Sequence, residues 1–371
     1  MGADSSIQRI VRLTPLHAIL ACIESRVAPV PPRRNALASA RGATLAEDVV
    51  AAAHPPRAIA LRDGFAVAAA AIADAGSYTP VPLTIRARRI DAGDPLPNGT
   101  DAVVPLDAIA HHGDRAEATA AVAPGEGVLQ AGGDAGPTTA MRSAGTRLRA
   151  VDVAAVAAAG IAEVAVRLPR IAVVRGSAGR TAALDAARAV LVHGVTQAGG
   201  GLCDSADTLD EALNDRRSDA VIAVGGTGSG RRDDAVQEVA RRGRLEAHGI
   251  AIGPGDTAAF GFVEERPVLL VPGRLDAALA VWLFIGRHLA AKLAGGVVDE
   301  TPAIVPLRHK VTSTIGITEL FPVSRSEGMA EPLGSGYLSL TSLARSDGWI
   351  AVPADSEGFA AGAKVAVNPW P

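Results

Sequence analysis

The sequence predicts a multidomain α/β protein, with an α/β unit built on a parallel sheet set beside β-rich modules. Three observations carry this expectation. Residues 169–296 alternate short apolar runs with alanine-rich amphipathic stretches, the texture of a parallel sheet covered on both faces. Residues 54–128 and 301–371 instead carry short alternating segments cut by Gly, Pro, Asn and Asp turns, as small β modules do. A length of 371 residues leaves room for more than one domain at roughly 100–200 residues each.

In chain order, residues 14–26 read as a helix, with Thr14 as cap, Pro15 in the first turn and Leu16, Ile19, Leu20 and Ile23 at helical spacing. Residues 36–53 read as a short helical or mixed segment ending at His54-Pro55-Pro56. Val81 to Ile90, Ala102 to Leu106 and Glu117 to Val122 alternate as strands. Residues 151–159 read as a helix stopped at Gly160, and Ala162 to Arg167 as a short strand. Strands are then expected within 171–174, 221–224 and 266–271, and helices over 180–199, 207–214, 233–242 and 275–294. VVDETP after Gly296 reads as a linker into an all-β module.

Composition excludes several classes. Phe, Trp and Tyr sum to 11 and the net charge is −3, so neither the stacking platforms nor the basic footprint of a nucleic-acid binder is present. Two cysteines, Cys22 and Cys203, are too few for a zinc cage or a disulfide framework, which suits a reducing cytoplasm. The opening MGADSSIQRI has no apolar run behind a basic flank, and the alanine-rich stretch 151–168 carries Asp152 and Glu163; a cytoplasmic protein without a membrane span is expected.

The strongest chemical signal is Val221 to Gly230, VIAVGGTGSG, an apolar strand running into Gly225, Gly226, Thr227, Gly228, Ser229 and Gly230, then Arg231, Arg232 and Asp233. A buried parallel strand delivers its loop to the carboxyl edge, where ligands bind. Glycines let backbone N–H groups close on an anion, and a following helix start favours negative charge. The other reading is a strand-to-helix turn that needs glycine. Pro254-Gly255 and Pro272-Gly273-Arg274 follow two more strand-like runs, so three glycine-bearing loops are candidates to meet at one edge. Asp63, Asp94, Asp101, Asp134, Asp204 and Asp233 are turn or cap residues or, near a phosphate, ligands for Mg²⁺. The histidines show no metal-ligand spacing.

The order of these motifs resembles the molybdopterin molybdenumtransferases, the molybdenum insertases that include bacterial MoeA and the gephyrin E domain. Asp63-Gly64-Phe65-Ala66 is similar to the family's M-D-G-Y/F-A, and residues 92–104, AGDPLPNGTDAVV, to its T-G-A-P-L-P-x-G-A-D-A-V-V. Gly132-Gly133-Asp134 resembles G-E-D, and residues 225–233 resemble G-G-V-S-x-G-x-x-D. Pro254-Gly255 and Pro272-Gly273 resemble the two later P-G motifs, and Leu333 to Leu338 the serine-bearing loop, with Ser335. The sequence departs from the pattern at Leu61-Arg62, at Ala92, at Val174 to Gly179 in place of G-D-E-L, at Gly253 and Asp256 in place of two lysines, and at Arg274. Arg231, Arg232 and Arg274 are candidates to replace those lysines as phosphate forks.

The resemblance implies four parts: a split elongated α+β domain over 1–53 and 129–168, an inserted β module over 54–128, an α/β molybdopterin-binding domain over 169–297 and a small β-barrel-like domain over 298–371. It implies a homodimer with the pterin site between subunits. The implied reaction inserts molybdate into adenylylated molybdopterin with release of AMP, assisted by Mg²⁺. Asp63, Asp134 and Asp233 would be catalytic, Asp204 and Asp233 would hold the metal, and the glycine loops with Arg231, Arg274 and Ser335 would bind molybdopterin. Candidate protein partners are a molybdoenzyme or a molybdopterin adenylyltransferase. The alternatives are a catalytically degenerate molybdopterin or molybdenum-cofactor binding protein, acting as carrier, chaperone or regulator, and an enzyme for another nucleotide-like substrate.

Overall fold

Helix α1 (Leu16–Arg26) is the first helix of the fold and turns Ile19 and Ile23 inward. The computed structural model describes residues 10–83, 87–113, 115–176, 179–203, 206–230, 233–298 and 301–371. Thr14 does not cap α1. It forms a parallel bridge to Ile250, and Pro15, with no side-chain bond to give, stands at the cap. Strands β1 (Arg33–Ala36) and β2 (Thr44–Leu45) follow with a 3-10 turn, Leu37–Ser39, between them, so the segment expected to be helical or mixed is mixed.

The next region is a chain of short strands: β3 (Ile59–Ala60), β4 (Gly64–Val67), β5 (Val81–Pro82), β6 (Arg88–Ile90), β7 (Ala102–Pro105), β8 (Ile109–His112), β9 (Arg115–Ala118) and β10 (Val128–Leu129). They form the small sheets β6-β4-β7, β5-β9-β8 and β10-β3. Gly64 has a packing reason to be glycine: a Cβ there would collide with the Val104 carbonyl on the adjacent strand β7. Helix α2 (Ala150–Ala158) and strand β11 (Glu163–Arg167) return beside β1 and β2.

The α/β unit runs β12 (Arg170–Arg175), α3 (Ala182–Gln197), β13 (Gly201–Leu202), α4 (Leu209–Asn214), β14 (Ala220–Val224), α5 (Ala235–Arg242), β15 (Arg244–His248), β16 (Ile252–Gly253), β17 (Ala259–Val263), β18 (Arg266–Val271), α6 (Leu275–Val281) and α7 (Arg287–Ala294). Its six-stranded sheet has the order β13-β12-β14-β18-β17-β15. The expected parallel pairing covers only the first four strands; β17 pairs antiparallel with both β18 and β15, so the sheet is mixed. The turn from β17 to β18 explains the miss. Glu264 and Glu265 hold φ of 51° and 61°, a backbone usually marked by Asn-Gly, and two glutamates give no such signal. The helix expected over 275–294 is interrupted by one π turn, Trp282–Gly286. By length and apolarity 275–294 could cross a membrane, but 78% of its most apolar 18-residue stretch is buried here as a core helix.

The last part contains β19 (Ala303–Pro306), β20 (Val311–Thr312), β21 (Thr318–Ser326), β22 (Met329–Pro332), helix α8 (Leu340–Arg345), β23 (Gly348–Val352), β24 (Gly358–Phe359) and β25 (Lys364–Val367). Strand β16 pairs with β21, which stitches this β unit to the α/β unit. One apolar core unites Ile19 and Ile23 of α1, Ile171, Leu191 and Ile222 of the α/β unit, and Leu320 and Trp349 of the last unit. Thus α1, expected with the split domain, seats its apolar face on the α/β unit.

Asp152 is the buried charge of the split region, 7% exposed. It accepts from the Arg149 backbone N–H at 2.8 Å and from the Arg149 guanidinium at 2.9 and 3.0 Å, and Arg142 lies 3.4 Å away. The Arg149 side-chain bonds hold its carboxyl below the ordinary value, against a smaller opposing effect of burial. A lowered folded-state pKa gives stability that is full above the unfolded value, near 4, and lost as pH falls through the folded value. Asp152→Asn is therefore expected to destabilise the chain by roughly 1–2 kcal/mol at pH 7. Urea unfolding should show that gap closing as the pH falls below the ordinary carboxylate value.

Candidate functional site

Strands β12, β14 and β18 lie parallel; Gly176 follows the first and Gly225 the second directly, and Pro272-Gly273 follows the third. The Gly176 N–H donates to Val224 O at 2.8 Å and the Gly225 N–H to Val271 O at 2.7 Å, so each loop leaves its strand in register with its neighbour. Gly225 and Gly226 then take φ of 92° and 77°, the left-handed region that disfavours a side chain. A Cβ on Gly226 would stand 2.8 Å from Gly176 O and 2.9 Å from the Ala235 Cβ. One on Gly273 would stand 3.6 Å from the Gly225 Cα. Three loops from the carboxyl edge therefore lie against one another; the approach of the Gly176 and Gly225–Gly226 backbones leaves no room for a Cβ, whereas Gly273 sits at ordinary contact distance.

The rim is tied to the predicted Pro254-Gly255 loop by threonines. Thr227 is buried, and its hydroxyl meets that of Thr257 at 3.1 Å. Thr257 follows Pro254-Gly255, where Gly255 (φ 119°) packs on Val281 and Ala277 of α6. His248, expected as a surface or packing residue, has Nε2 3.0 Å from Thr227 O and fixes the loop carbonyl. Nothing in its spacing could have announced this, because it depends on the missed strand β15.

The loop tip is open at Ser229 and Gly230. Its amides are partly engaged already. Asp233 Oδ2 accepts from the Gly230 N–H at 2.9 Å, and the Asp233 N–H returns to Gly230 O at 3.0 Å. The carboxylate expected to serve catalysis and a metal thus closes its own turn. Arg231 and Asp204 lie outside the described residues.

Arg274 follows Pro272-Gly273 and meets the last β unit. Its Nε donates to Asp276 Oδ1 at 3.1 Å, and its guanidinium lies 4.8 Å from the Tyr337 ring centre. Asp276 is 3% exposed and also accepts the Leu338 N–H at 3.2 Å. The Asp276 bond, ahead of a smaller opposing effect of burial, raises the Arg274 pKa and keeps it charged. Ser335 is exposed on the same loop as Tyr337, and the neighbouring Gly336 N–H donates to Glu319 Oε1 at 3.2 Å. The structure so brings Pro272, Gly273, Arg274 and the Ser335 loop together, with Arg274 engaged by an internal carboxylate.

Asp63 and Asp134 are elsewhere. Asp63, before β4, accepts the Ala92 N–H at 2.8 Å and joins two of the sequence motifs to each other. Asp134 is exposed, and its N–H donates to His54 O at 3.0 Å. Among the described residues no three His, Cys, Asp or Glu side chains gather as a metal site. With Asp233 turned onto its own loop, the described residues do not fit a Mg²⁺ centre within one chain.

The chain matches the family model for the MoeA N-terminal region (domain I and II) over residues 14–160 and that for the MoeA C-terminal region (domain IV) over 305–370. It is 31% identical over 170 residues to a Methanocaldococcus jannaschii protein named for molybdopterin biosynthesis, covering 44% of this chain and 40% of that one. It is 26% identical over 286 residues to molybdopterin molybdenumtransferase 1 of Mycobacterium tuberculosis, covering 71% and 63%. The matches therefore span about 40–63% of the length of these relatives. In fold it is similar to the molybdopterin biosynthesis moeA protein of Pyrococcus horikoshii, with a TM-score of 0.77, 24% identity and coverage of 97% and 100%.

Proposed function

The chain belongs to the MoeA family, and from that premise we propose that it acts in molybdenum cofactor biosynthesis by inserting molybdate into adenylylated molybdopterin with release of AMP. The observation that carries the reading is the backbone contact of the Gly176, Gly225–Gly226 and Gly273 loops at one sheet edge. A rim with no side chains lets an anionic group approach the backbone directly, and the start of α5 beyond it favours negative charge. Thr227 and His248 keep the rim's shape before a ligand arrives, which lowers the ordering penalty of binding. Molybdopterin, its adenylylated form and molybdate are the substrates. In a homodimer, Asp63 and Asp134 of a second copy would face this rim, since one chain does not gather them with Asp233. No step is assigned to Mg²⁺, because the described residues hold no set for it.

Binding without turnover is the second reading, as a carrier, chaperone or regulator. Asp233 and Arg274 favour it, since both side chains are engaged inside the protein. One experiment separates the two. Purified protein is mixed with adenylylated molybdopterin, molybdate and divalent cation, and AMP is followed. Release of AMP that falls at least about 100-fold in Asp233→Ala supports the enzyme, as expected for a group that stabilises the transition state. Saturable binding with no AMP supports the carrier, and absence of any pterin binding removes both.

A further inference from the structure

Aromatic rings are scarce in this chain, and folding covers nearly all of them. Of the eleven, Tyr78 and Tyr337 are the two that stay exposed. Tyr78 stands at a turn between β4 and β5. Tyr337 is 65% exposed, yet its loop is pinned on both sides of it. On one side the Gly336 N–H donates to Glu319 Oε1 at 3.2 Å. On the other, Leu338 is 1% exposed within the main core, and its N–H donates to Asp276 Oδ2 at 3.2 Å. A single exposed ring is ordinary; an exposed ring fixed through both neighbours is not.

Both pins also lead to the loops around the glycine rim. Glu319 lies on β21 opposite Gly253 of β16, the residue before Pro254-Gly255. A Cβ on Gly253 would stand 3.3 Å from the Glu319 Cγ, and the other carboxylate oxygen of Glu319 accepts the Ser313 hydroxyl at 2.8 Å. Asp276 accepts from Arg274 Nε at 3.1 Å, and the Arg274 guanidinium lies 4.8 Å from the Tyr337 ring centre, within cation–π range. Arg274 directly follows the rim glycine Gly273. One arginine side chain therefore spans the gap between the rim backbone and the ring. The contact engages the ring from one side and leaves most of the residue to solvent.

Resting on the reading that this rim takes the ligand's phosphate, we propose that Tyr337 is a specificity-determining residue: a flat heterocycle, pterin or adenine, stacks on its phenol ring while the attached phosphate meets the glycine backbone. Stacking of a base on an aromatic side chain changes affinity by roughly 5- to 150-fold and tolerates different heterocycles, because each has a π face. Asp276 fixes Arg274 and Arg274 flanks the ring, so little side-chain freedom is left to lose on binding.

Titration calorimetry of the full chain tests this with three probes: molybdopterin, AMP, and ribose 5-phosphate, which is AMP without its ring. At least one ringed probe is expected to bind about 5-fold or more tighter than ribose 5-phosphate. Tyr337→Ala should erase that advantage and leave ribose 5-phosphate unchanged, and Tyr337→Phe, which keeps the ring, should restore it. The ringed probe that loses affinity in Tyr337→Ala identifies the heterocycle that stacks. The role of Tyr337 is overturned if phosphate binds with no preference for a ring, or if Tyr337→Ala binds the ringed probes as the wild type does. It is equally overturned if Tyr337→Ala weakens ribose 5-phosphate by the same factor, since the residue then only shapes its loop. Binding of none of the three probes overturns the phosphate reading of the rim itself, and the proposal with it.

Discussion

Gly226→Ala is expected to lower the unfolding free energy by about 3 kcal/mol and to abolish binding at the rim. Two costs add. Alanine at φ of 77° sits in the left-handed region, at roughly 1–2 kcal/mol. Its methyl would also be 2.8 Å from the Gly176 carbonyl oxygen and 2.9 Å from the Ala235 Cβ. Neither neighbour is a flexible side-chain end: one is backbone at the end of β12 and the other is the first residue of α5. Overpacking of this kind costs typically 1–3 kcal/mol, and relief requires pushing two loops apart. That separation would also open the rim, so affinity for a phosphorylated pterin should fall more than stability alone requires. Urea unfolding with pterin titration checks both. Ser229→Ala, at the exposed tip, should change stability by less than about 0.5 kcal/mol. A Gly226→Ala protein as stable as Ser229→Ala would mean that the three loops do not touch as described.

Asp276→Ala should cost about 2 kcal/mol, with the loss concentrated where the α/β unit meets the last β unit. The carboxylate is 3% exposed and serves two partners from different parts of the chain, Arg274 and the Leu338 N–H. Removing it leaves a buried N–H unsatisfied, which carries the larger share of the penalty. The Arg274 share is modest because that side chain is 58% exposed and screened by water. Asp276→Asn keeps an acceptor and should lie between alanine and wild type. A double-mutant cycle with Arg274→Ala isolates the pair, with an expected coupling of about 0.5–1 kcal/mol. Hydrogen exchange at Leu338 should quicken in Asp276→Ala and stay near wild type in Arg274→Ala. Unchanged exchange in both would remove the carboxylate as the clasp between the units.

The sequence alone determined which motifs exist and in what order. Local rules suffice for that: the apolar run at 221–224 can only be a buried strand once glycines follow it, Gly160 stops a helix, and the turn-rich stretches 54–128 and 301–371 cannot hold long helices. The family resemblance rested on the same local strings, and the matches over 14–160 and 305–370 bear it out.

Tertiary structure decided what those strings do, because partners come from far along the chain. Arg274 reads as a phosphate fork in isolation, yet the buried Asp276 and the exposed ring of Tyr337 engage it. Asp233 reads as a ligand, yet it closes onto Gly230. The β17–β18 hairpin was hidden because two glutamates take a turn that asparagine and glycine normally announce. His248 gains its role only when β15 lies beside β17. A charge's own neighbours in sequence say nothing about the field it will share, because Coulomb interactions depend on distance in the folded chain.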